Sequence, residues 1–459
     1  MPIQNHRGTK RAKHARSLKT PPGRGLPFFA FIILGFAIVN AIGFVLLMLP
    51  PSSADGDFTN PVDALFTATS ATSDTGLVTV VTATHWSSFG QGVILGLIQV
   101  GGLGFMLFSS SVILLSRRQI NLHDFRFRDT LGVSNFRSFF VLFLQSVALT
   151  IVVEAVGAYL FWRHFHESGI DSSVWHSVFY SVSAFNNAGF DLNSSLSLVD
   201  YASTPYILMS VAGIVIVGGL SVPLIFEVIT KHKRRKFSID TKLALIATLF
   251  LLILGTVVIF AFERGNAGTL GALDSGAQVS NAFFSSAITR SAGFTSLDIG
   301  AMAAETLIFM MVLMFIGGVS GSTAGGIKVN TFTVLSLTAV SYIRGRSKVV
   351  AFGHRIPEVE IHRAVSVFFF SCIFILVIVL VLAVIEEASL IQTSFETVSA
   401  FSTVGLSTGI TPALTTAGKL IICLTMFVGR LGPLVMIMAL ARPLLREEKE
   451  YPEEEVRIG

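Results

Sequence analysis

Four glycines end four copies of one local sequence pattern. The copies align without a gap and span residues 64–76, 177–189, 281–293 and 393–405. In each copy a phenylalanine lies ten positions before the glycine, and a leucine or phenylalanine follows the glycine directly. Glycine adopts positive φ at little steric cost and leaves neighbouring carbonyl oxygens uncovered. Carbonyl oxygens turned toward a common centre can replace the water around a dehydrated cation, so the pattern indicates a cation site.

The backbone of each glycine and of the two residues before it forms the candidate cation site. The residues concerned are Asp74, Thr75, Gly76, Asn187, Ala188, Gly189, Ser291, Ala292, Gly293, Thr403, Val404 and Gly405. A single glycine of this kind would be explained by close helix packing, but four in one register favour a shared pore. Asn186 and Asn187 could brace the second loop by hydrogen bonds. The four phenylalanines of the pattern are expected to pack in the core: Phe66, Phe179, Phe283 and Phe395.

The composition places the chain in a lipid bilayer. Of 459 residues, 52% are hydrophobic and only 13% are charged, and the mean hydropathy is +0.72. A soluble globular protein carries about 25% charged residues. Cys372 and Cys423 both lie in apolar stretches, which favours small core residues over a disulfide or a metal site. His164 and His166 are spaced poorly for a helical metal site, and no His-Glu-x-x-His motif occurs, so the sequence gives no support to a membrane enzyme.

Apolar runs of membrane-crossing length, roughly 20 residues, predict eight spans. They lie at 27–49, 88–115, 138–162, 205–229, 243–262, 304–343, 365–385 and 418–441. The four repeated patterns fall between consecutive pairs of these runs, and their apolar parts are too short to cross a bilayer. We therefore expect four re-entrant helices. Irregular backbone inside a bilayer must line water or protein, which favours one shared polar pathway.

The predicted fold is an all-α membrane protein built from four tandem units around one pseudo-fourfold pore. Each unit consists of a helix, a re-entrant pore helix with its loop, and a second helix. The units are 26–116, 134–230, 238–343 and 360–445, between a basic tail at 1–25 and a C-terminal tail at 446–459. The loops between units are short, so no separate soluble domain is expected.

The distribution of basic residues predicts the orientation. The tail at 1–25 is basic, and residues 26–116 contain no lysine or arginine. The loops around 117–118, 231–236 and 344–348 are basic again. Basic loops stay in the cytoplasm, so both termini are expected inside and the re-entrant helices are expected to enter from outside a cell membrane. Nucleic-acid binding by the basic tail is a less economical explanation.

The sixth apolar run is interrupted by a polar, glycine-rich segment at 317–326. Each glycine costs about 1 kcal/mol relative to alanine in a helix, so a helix is not expected to continue through five of them. A loop beneath the cation site would obstruct the pore and could move, although a simple kink or a close helix contact would also explain the glycines. The candidate gate comprises Gly317, Gly318, Ser320, Gly321, Ser322, Thr323, Gly325, Gly326, Lys328 and Arg430.

Charged residues within apolar runs are costly and usually functional. Arg430 is expected to contact carbonyls or other acceptors around 320–323 and to raise the barrier for cations, unless it reaches water at a helix end. Lys328 is explained equally well by gating or by reaching the cytoplasmic face. Glu154 is expected to pair with a polar group that the sequence does not identify. Arg290 could shape the outer mouth or form a salt bridge to an acidic loop.

These motifs resemble the Trk/Ktr/HKT superfamily of potassium transporters over nearly the whole chain. The resemblance rests on the loops at 75–77, 187–191, 291–294 and 403–407, on residues 321–328, and on Arg430. The ending at 451–459 resembles the KtrB type of pore subunit, as does the absence of two further N-terminal helices. By this resemblance, residues 317–326 are an intramembrane gating loop, and Arg430 lies below the selectivity filter.

The resemblance implies potassium uptake across the bacterial cytoplasmic membrane by a homodimer with one pore per subunit. It also implies a cytoplasmic KtrA-type ring that binds nucleotides and gates the pore. K⁺ would be the substrate and Na⁺ a coupling or activating ion, with no tightly bound cofactor. No nucleotide site is expected in this chain, because Ile327 separates Gly326 from Lys328 and breaks the P-loop spacing.

Asp74 departs from the family pattern, which usually has an uncharged residue there. An ionised carboxylate at the filter would hold a cation strongly, but we expect Asp74 to face away and cap a backbone group. Relatives that admit sodium often have serine in place of the first glycine, so Gly76 favours potassium over a sodium-permeable or poorly selective transporter. A secondary transporter of an organic solute is expected to show inverted or paired repeats rather than four parallel units.

Overall fold

The computed structural model describes residues 28–116, 133–167, 173–193, 197–231, 237–346 and 348–432. The predicted tails at 1–25 and 446–459, most of the basic loops, and the end of the fourth unit after residue 432 lie outside these ranges. The described residues are predominantly helical, as the sequence predicts. The sequence did not predict a short hairpin in which β1 (Val350–Ala351) pairs antiparallel with β2 (His354–Arg355).

The helices follow one another in four groups along the chain. The first group is α1 (Phe28–Met48), α2 (Pro61–Thr72), α3 (Thr82–His85) and α4 (Ser88–Ser116). The second is α5 (Val133–Glu167), α6 (Ser173–Phe185), α7 (Pro205–Gly218) and α8 (Val222–Lys231). The third is α9 (Ile239–Glu263), α10 (Ser275–Ile288), α11 (Ala304–Phe315) and α12 (Val329–Ile343). The fourth is α13 (Glu358–Ile385), α14 (Leu390–Phe401) and α15 (Thr416–Leu431).

The short helices α2, α6, α10 and α14 coincide with the repeated sequence pattern. Two of them begin at strong N-caps, since Asn60 accepts a hydrogen bond from the backbone of Val62 at 2.9 Å and Ser389 forms a capping box with Gln392. Each then ends in a turn, and a residue with positive φ follows two or three positions after the last helical residue: Asp74, Asn187, Ser291 or Thr403. Such a residue is a common way to end a helix, because it lets the chain leave while its last carbonyls are satisfied.

By length and composition, four of the described helices could cross a membrane. They are α4, α5, α9 and α13, and the bent pair α7–α8 would make a fifth. Within the described ranges, residues Ile33–Met48 of α1 and the helices α11 and α12 are shorter apolar segments. The chain is thus a multi-pass membrane protein, and the count of eight spans stays a prediction.

The apolar run at 205–229, predicted as one span, is divided between two helices. Helices α7 and α8 meet at 96°, with the break after Gly218. Two adjacent glycines weaken the helix there, and Pro223 has no N–H with which to continue the hydrogen-bond ladder. The two glycines and the proline could have indicated the bend, but the apolar character of the whole run favoured a single span.

Contacts between the groups close a ring. Helix α4 packs on α5 and α6, α7 packs on α10, α11 packs on α14, and α15 returns to α2. The repeated phenylalanines support this packing as predicted: Phe66, Phe179 and Phe395 are fully buried, and Phe283 is half-buried against the main core. The four short helices therefore lie on the inner side of a closed arrangement of longer ones.

Candidate functional site

The four glycines of the repeated pattern converge on one point. A methyl group placed on Gly293 would lie 2.8 Å from the Cα of Gly189 and 2.9 Å from the carbonyl oxygen of Val404. One placed on Gly76 would lie 3.0 Å from the Cα of Gly189, and one on Gly405 would lie 3.0 Å from the Cα of Gly76. Each glycine thus contacts the segment of a neighbouring unit. We call the four triplets 74–76, 187–189, 291–293 and 403–405 the collar.

The collar backbone has positive φ at the same two positions in every unit. The glycines have φ values of 92°, 71°, 67° and 89° in chain order, and the residues two positions earlier are also left-handed, at 50°, 59°, 101° and 47°. Those earlier residues are Asp74, Asn187, Ser291 and Thr403. Side chains at the glycine positions would be both strained and crowded, so glycine is required there. A closely spaced ring of backbone oxygens suits an alkali cation.

Serine hydroxyls hold the collar from behind. The backbone N–H groups of Gly76 and Gly405 donate to Ser70 and Ser399 at 3.0 and 3.1 Å. In the second unit Ser183, at the same register, donates to the carbonyl of Phe190 at 2.7 Å. The third unit has Ala287 at this position. The recurring serine, six positions before the glycine, was a signal that the sequence analysis did not use.

The second collar segment is braced by its two asparagines, as predicted. Asn186 donates to Gln99 at 3.1 Å and to the carboxylate of Glu154 at 3.2 Å. With its amide nitrogen turned toward them, Asn187 donates to the carbonyls of Ala184 and Val215 at 3.0 and 3.2 Å. Gln99 also donates to Glu154 at 3.4 Å, so both polar partners of this intramembrane carboxylate are now identified.

Residues 316–328 leave the helical conformation between α11 and α12, and we call them the interrupting segment. They include the whole glycine-rich stretch that the sequence predicts to break this run. Ile316 and Ile327 pair at the two ends of the segment, which closes it into a loop. The N–H of Val319 donates to the carbonyl of Gly219 at 3.1 Å, so the loop also binds the bend between α7 and α8.

The interrupting segment packs directly on the collar. The N–H of Gly325 donates to the hydroxyl of Ser291 at 3.0 Å, and Ser291 in turn donates to the carbonyl of Thr403 at 2.9 Å. Thr323 donates to the carbonyl of Gly218 at 2.9 Å. The candidate gate and the candidate cation site are therefore one connected structure, with contacts from the third and fourth collar segments.

Arg430 lies between this segment and the first collar segment. Its guanidinium donates to the carbonyl of Thr323, as expected, and also to the carbonyl of Gly101 at 3.2 Å. It forms a salt bridge with Asp74, and both side chains are essentially inaccessible. The expectation that Asp74 caps a backbone group is wrong, because a buried guanidinium needs a counter-ion and Asp74 supplies it. The alternative that Arg430 reaches water at a helix end is excluded by its burial.

The other two cations of the region also bind the interrupting segment. Lys328 donates to the carbonyl of Ala324 and lies 5.0 Å from the ring centre of Phe105, and its reach to the cytoplasmic face stays a prediction. Arg290 donates to the carbonyl of Gly317 at 3.0 Å. Both expectations for Arg290 are wrong: it is buried beside the interrupting segment, and no described carboxylate pairs with it. A cavity of about 20 Å³ borders Arg290 and Gly318, room for one water molecule.

The closed ring of helical units around the central collar is the architecture of a polytopic membrane protein. The family model described as TrkH, cation transport protein, matches residues 29–445, and the chain belongs to this family. The resemblance drawn from the collar loops is thereby confirmed.

Named relatives and a solved structure agree with this assignment. The chain is 38% identical over 436 residues to the Ktr system potassium uptake protein B of Bacillus subtilis, covering 93% of this chain and 96% of that protein. It is 36% identical over 436 residues to the potassium/sodium uptake protein NtpJ of Enterococcus hirae, with the same coverage. The crystal structure of the potassium transporter TrkH from Vibrio parahaemolyticus superposes with a TM-score of 0.74 at 18% identity, covering 95% of this chain and 88% of that one, which establishes the shared fold.

Proposed function

We propose that this protein is the ion-conducting subunit of a potassium uptake system. The observation that carries the proposal is the convergence of four glycine-containing segments, one from each unit, around a single point. Relatives at 36–38% identity are named as potassium or potassium/sodium uptake proteins. Backbone oxygens at the collar would replace the hydration shell of K⁺ and so select it. The carboxyl ends of the four short helices adjoin the collar, and their partial negative charge favours a cation.

The interrupting segment is proposed to be the gate. It binds the collar through Ser291, and its backbone carbonyls accept hydrogen bonds from Arg290, Lys328 and Arg430. Its movement would therefore change access to the cation site. We further propose a homodimer whose termini lie in the cytoplasm, where a KtrA-type nucleotide-binding ring moves the segment. Naming of relatives as parts of a Ktr system supports a partner of this kind.

A second candidate is a transporter that also admits sodium. The printed name of the Enterococcus hirae relative, a potassium/sodium uptake protein, favours it. Glycine in all four collar segments favours potassium. If the collar selects K⁺, Na⁺ would act as a coupling or activating ion rather than as the main substrate.

Uptake of radioactive rubidium by purified protein in liposomes tests the proposal. We expect uptake that excess K⁺ suppresses more strongly than excess Na⁺, and that rises when the ring subunit and its nucleotide are added. Equal suppression by the two ions would favour the sodium-permeable candidate. Absence of rubidium uptake with and without the ring, in protein that inserts correctly, would contradict both.

A further inference from the structure

A buried carboxylate distinguishes the first collar segment from the other three. Asp74 lies two positions before the collar glycine, where the other segments have Asn187, Ser291 and Thr403. All four residues have positive φ, so uncharged side chains satisfy this turn equally well. The turn therefore does not explain a negative charge, and its cause must lie in what the side chain contacts.

The contact is Arg430, which joins the collar to the interrupting segment. Arg430 is 1% exposed and Asp74 0%. Among the described residues, Asp74 is the single carboxylate within salt-bridge distance of this guanidinium. Arg430 and Lys328 lie against the same ring, that of Phe105, at 4.5 and 5.0 Å from its centre. The region thus holds two cationic side chains, and Asp74 balances one of them.

An unbalanced positive charge next to a cation pathway opposes conduction. Charges inside a protein are screened far less than in water, so a guanidinium without a counter-ion would act on a nearby K⁺ through a low dielectric. Arg430 is nevertheless placed where it can hold the carbonyl of Thr323. Asp74 binds the other terminal nitrogen, Nη2, whereas the carbonyl of Thr323 binds Nη1, so the counter-ion cancels the charge without taking the place of that hydrogen bond.

We propose that Asp74 determines permeation: its carboxylate neutralises Arg430 and so lowers the barrier that this guanidinium presents to cations passing the collar, while Arg430 keeps its hold on the interrupting segment. The inference rests on the proposed function of the collar as a cation filter. Asp74 is a positioning and charge-balancing residue here, and it acts through Arg430 rather than by binding the ion itself.

Radioactive rubidium uptake in liposomes tests it, with full-length wild type, Asp74→Asn and the double variant Asp74→Asn/Arg430→Gln. Asparagine fits the turn, since Asn187 occupies the same position at φ 59°. We expect Asp74→Asn to lower the initial rate by about tenfold or more, because it leaves the guanidinium unbalanced. The double variant is neutral at both positions and is expected to return to within about threefold of wild type, since a threefold rate difference is less than 1 kcal/mol.

Asp63→Asn is the matched control, since it removes a carboxylate from α2, the helix that leads into the first collar segment, and the partner of Asp63 is Lys419 at 3.1 Å rather than Arg430. Size-exclusion profiles and melting temperatures report folding, and Arg430→Met replaces Arg430→Gln if that double variant is not monodisperse. Wild-type rates in Asp74→Asn, or a double variant as slow as Asp74→Asn, would overturn the inference alone. Wild-type protein without uptake would overturn the proposed function of the collar instead.

Discussion

At the scale of single residues, both the backbone conformation and the lack of space require glycine at the collar positions. Gly76 has φ 92°, and a methyl group on it would press on the backbone of Ala188 and Gly189. A side chain at a left-handed position costs about 1–2 kcal/mol, so we predict that Gly76→Ser widens or distorts the collar. We expect the distortion to lower the preference for rubidium over sodium by about tenfold. Competition of Na⁺ against radioactive rubidium measures it.

A matched glycine separates this effect from a general loss of stability. Gly96 lies in α4, and a methyl group there would meet nothing within 4 Å. Gly96→Ala is expected to keep the ion preference of wild type. Ion ratios in Gly76→Ser that equal those of wild type would remove Gly76 from the selectivity filter.

Arg290 gives a second prediction at this scale. It donates to the carbonyl of Gly317 and has no counter-ion among the described residues. Arg290→Gln removes both a charge and a charge-assisted hydrogen bond, worth about 1.5–3 kcal/mol, from one end of the interrupting segment. We expect faster rubidium uptake without the ring subunit and a smaller increase when the ring is added.

The control for Arg290 is Arg264→Gln, an exposed arginine that follows α9. Its uptake is expected to depend on the ring as in wild type. If Arg290→Gln stayed as slow and as ring-dependent as wild type, Arg290 would support the fold without restraining the proposed gate.

Single residues also mark the limit of what the sequence predicts. The contact of Arg430 with the segment at 320–323 was predicted, since an intramembrane arginine seeks acceptors and that stretch offers them. Its counter-ion was not, because Asp74 lies 356 positions away and only the closed ring brings them together. The partner of Arg290 was not predicted for the same reason. The sequence shows that Arg290 precedes Gly293 by three positions, but not that its side chain reaches the loop at Gly317.

At the scale of elements, the two breaks in apolar helices support each other. The bend between α7 and α8 offers the carbonyls of Gly218 and Gly219, and the interrupting segment donates to both. The four short helices and the α11–α12 break could be predicted, since their lengths and glycine content leave few alternatives. The α7–α8 bend was missed, because two glycines and a proline were too weak a signal within a long apolar run.

The bend yields a prediction about Gly218. A methyl group there would press on the carbonyl of Phe185, the last residue of α6, and would lie 3.1 Å from the side-chain amide of Asn187. Gly218→Ala is therefore expected to push the second collar segment out of place and to destabilise the protein by about 1–3 kcal/mol, the usual cost of overpacking. Thermal unfolding in detergent and rubidium uptake are the two measurements.

Gly213 provides the comparison within the same helix. A methyl group on it would meet nothing within 4 Å, so Gly213→Ala is expected to melt at or slightly above the wild-type temperature. Equal melting temperatures and uptake rates for Gly218→Ala and wild type would show that the bend tolerates bulk and does not position the collar.

At the scale of the whole molecule, the first and fourth units close the ring through two ion pairs of different kinds. Lys419 and Asp63 meet at 3.1 Å with side chains 15% and 18% exposed, whereas Arg430 and Asp74 are almost completely buried. A partly exposed pair contributes about 1 kcal/mol or less, but removing one partner of a buried pair costs about 3–5 kcal/mol because the other charge is left uncompensated. Breaking the inner pair is therefore expected to weaken closure of the ring more than breaking the outer pair.

We therefore predict an order of thermal stability that is independent of transport. Asp63→Asn is expected to melt close to wild type, and Asp74→Asn well below it. The neutral pair Asp74→Asn/Arg430→Gln is expected to melt above Asp74→Asn, since it leaves no buried charge unpaired. A double variant that melts below Asp74→Asn would mean that Arg430 stabilises the ring through its hydrogen bonds to Thr323 and Gly101 rather than through its ion pair with Asp74.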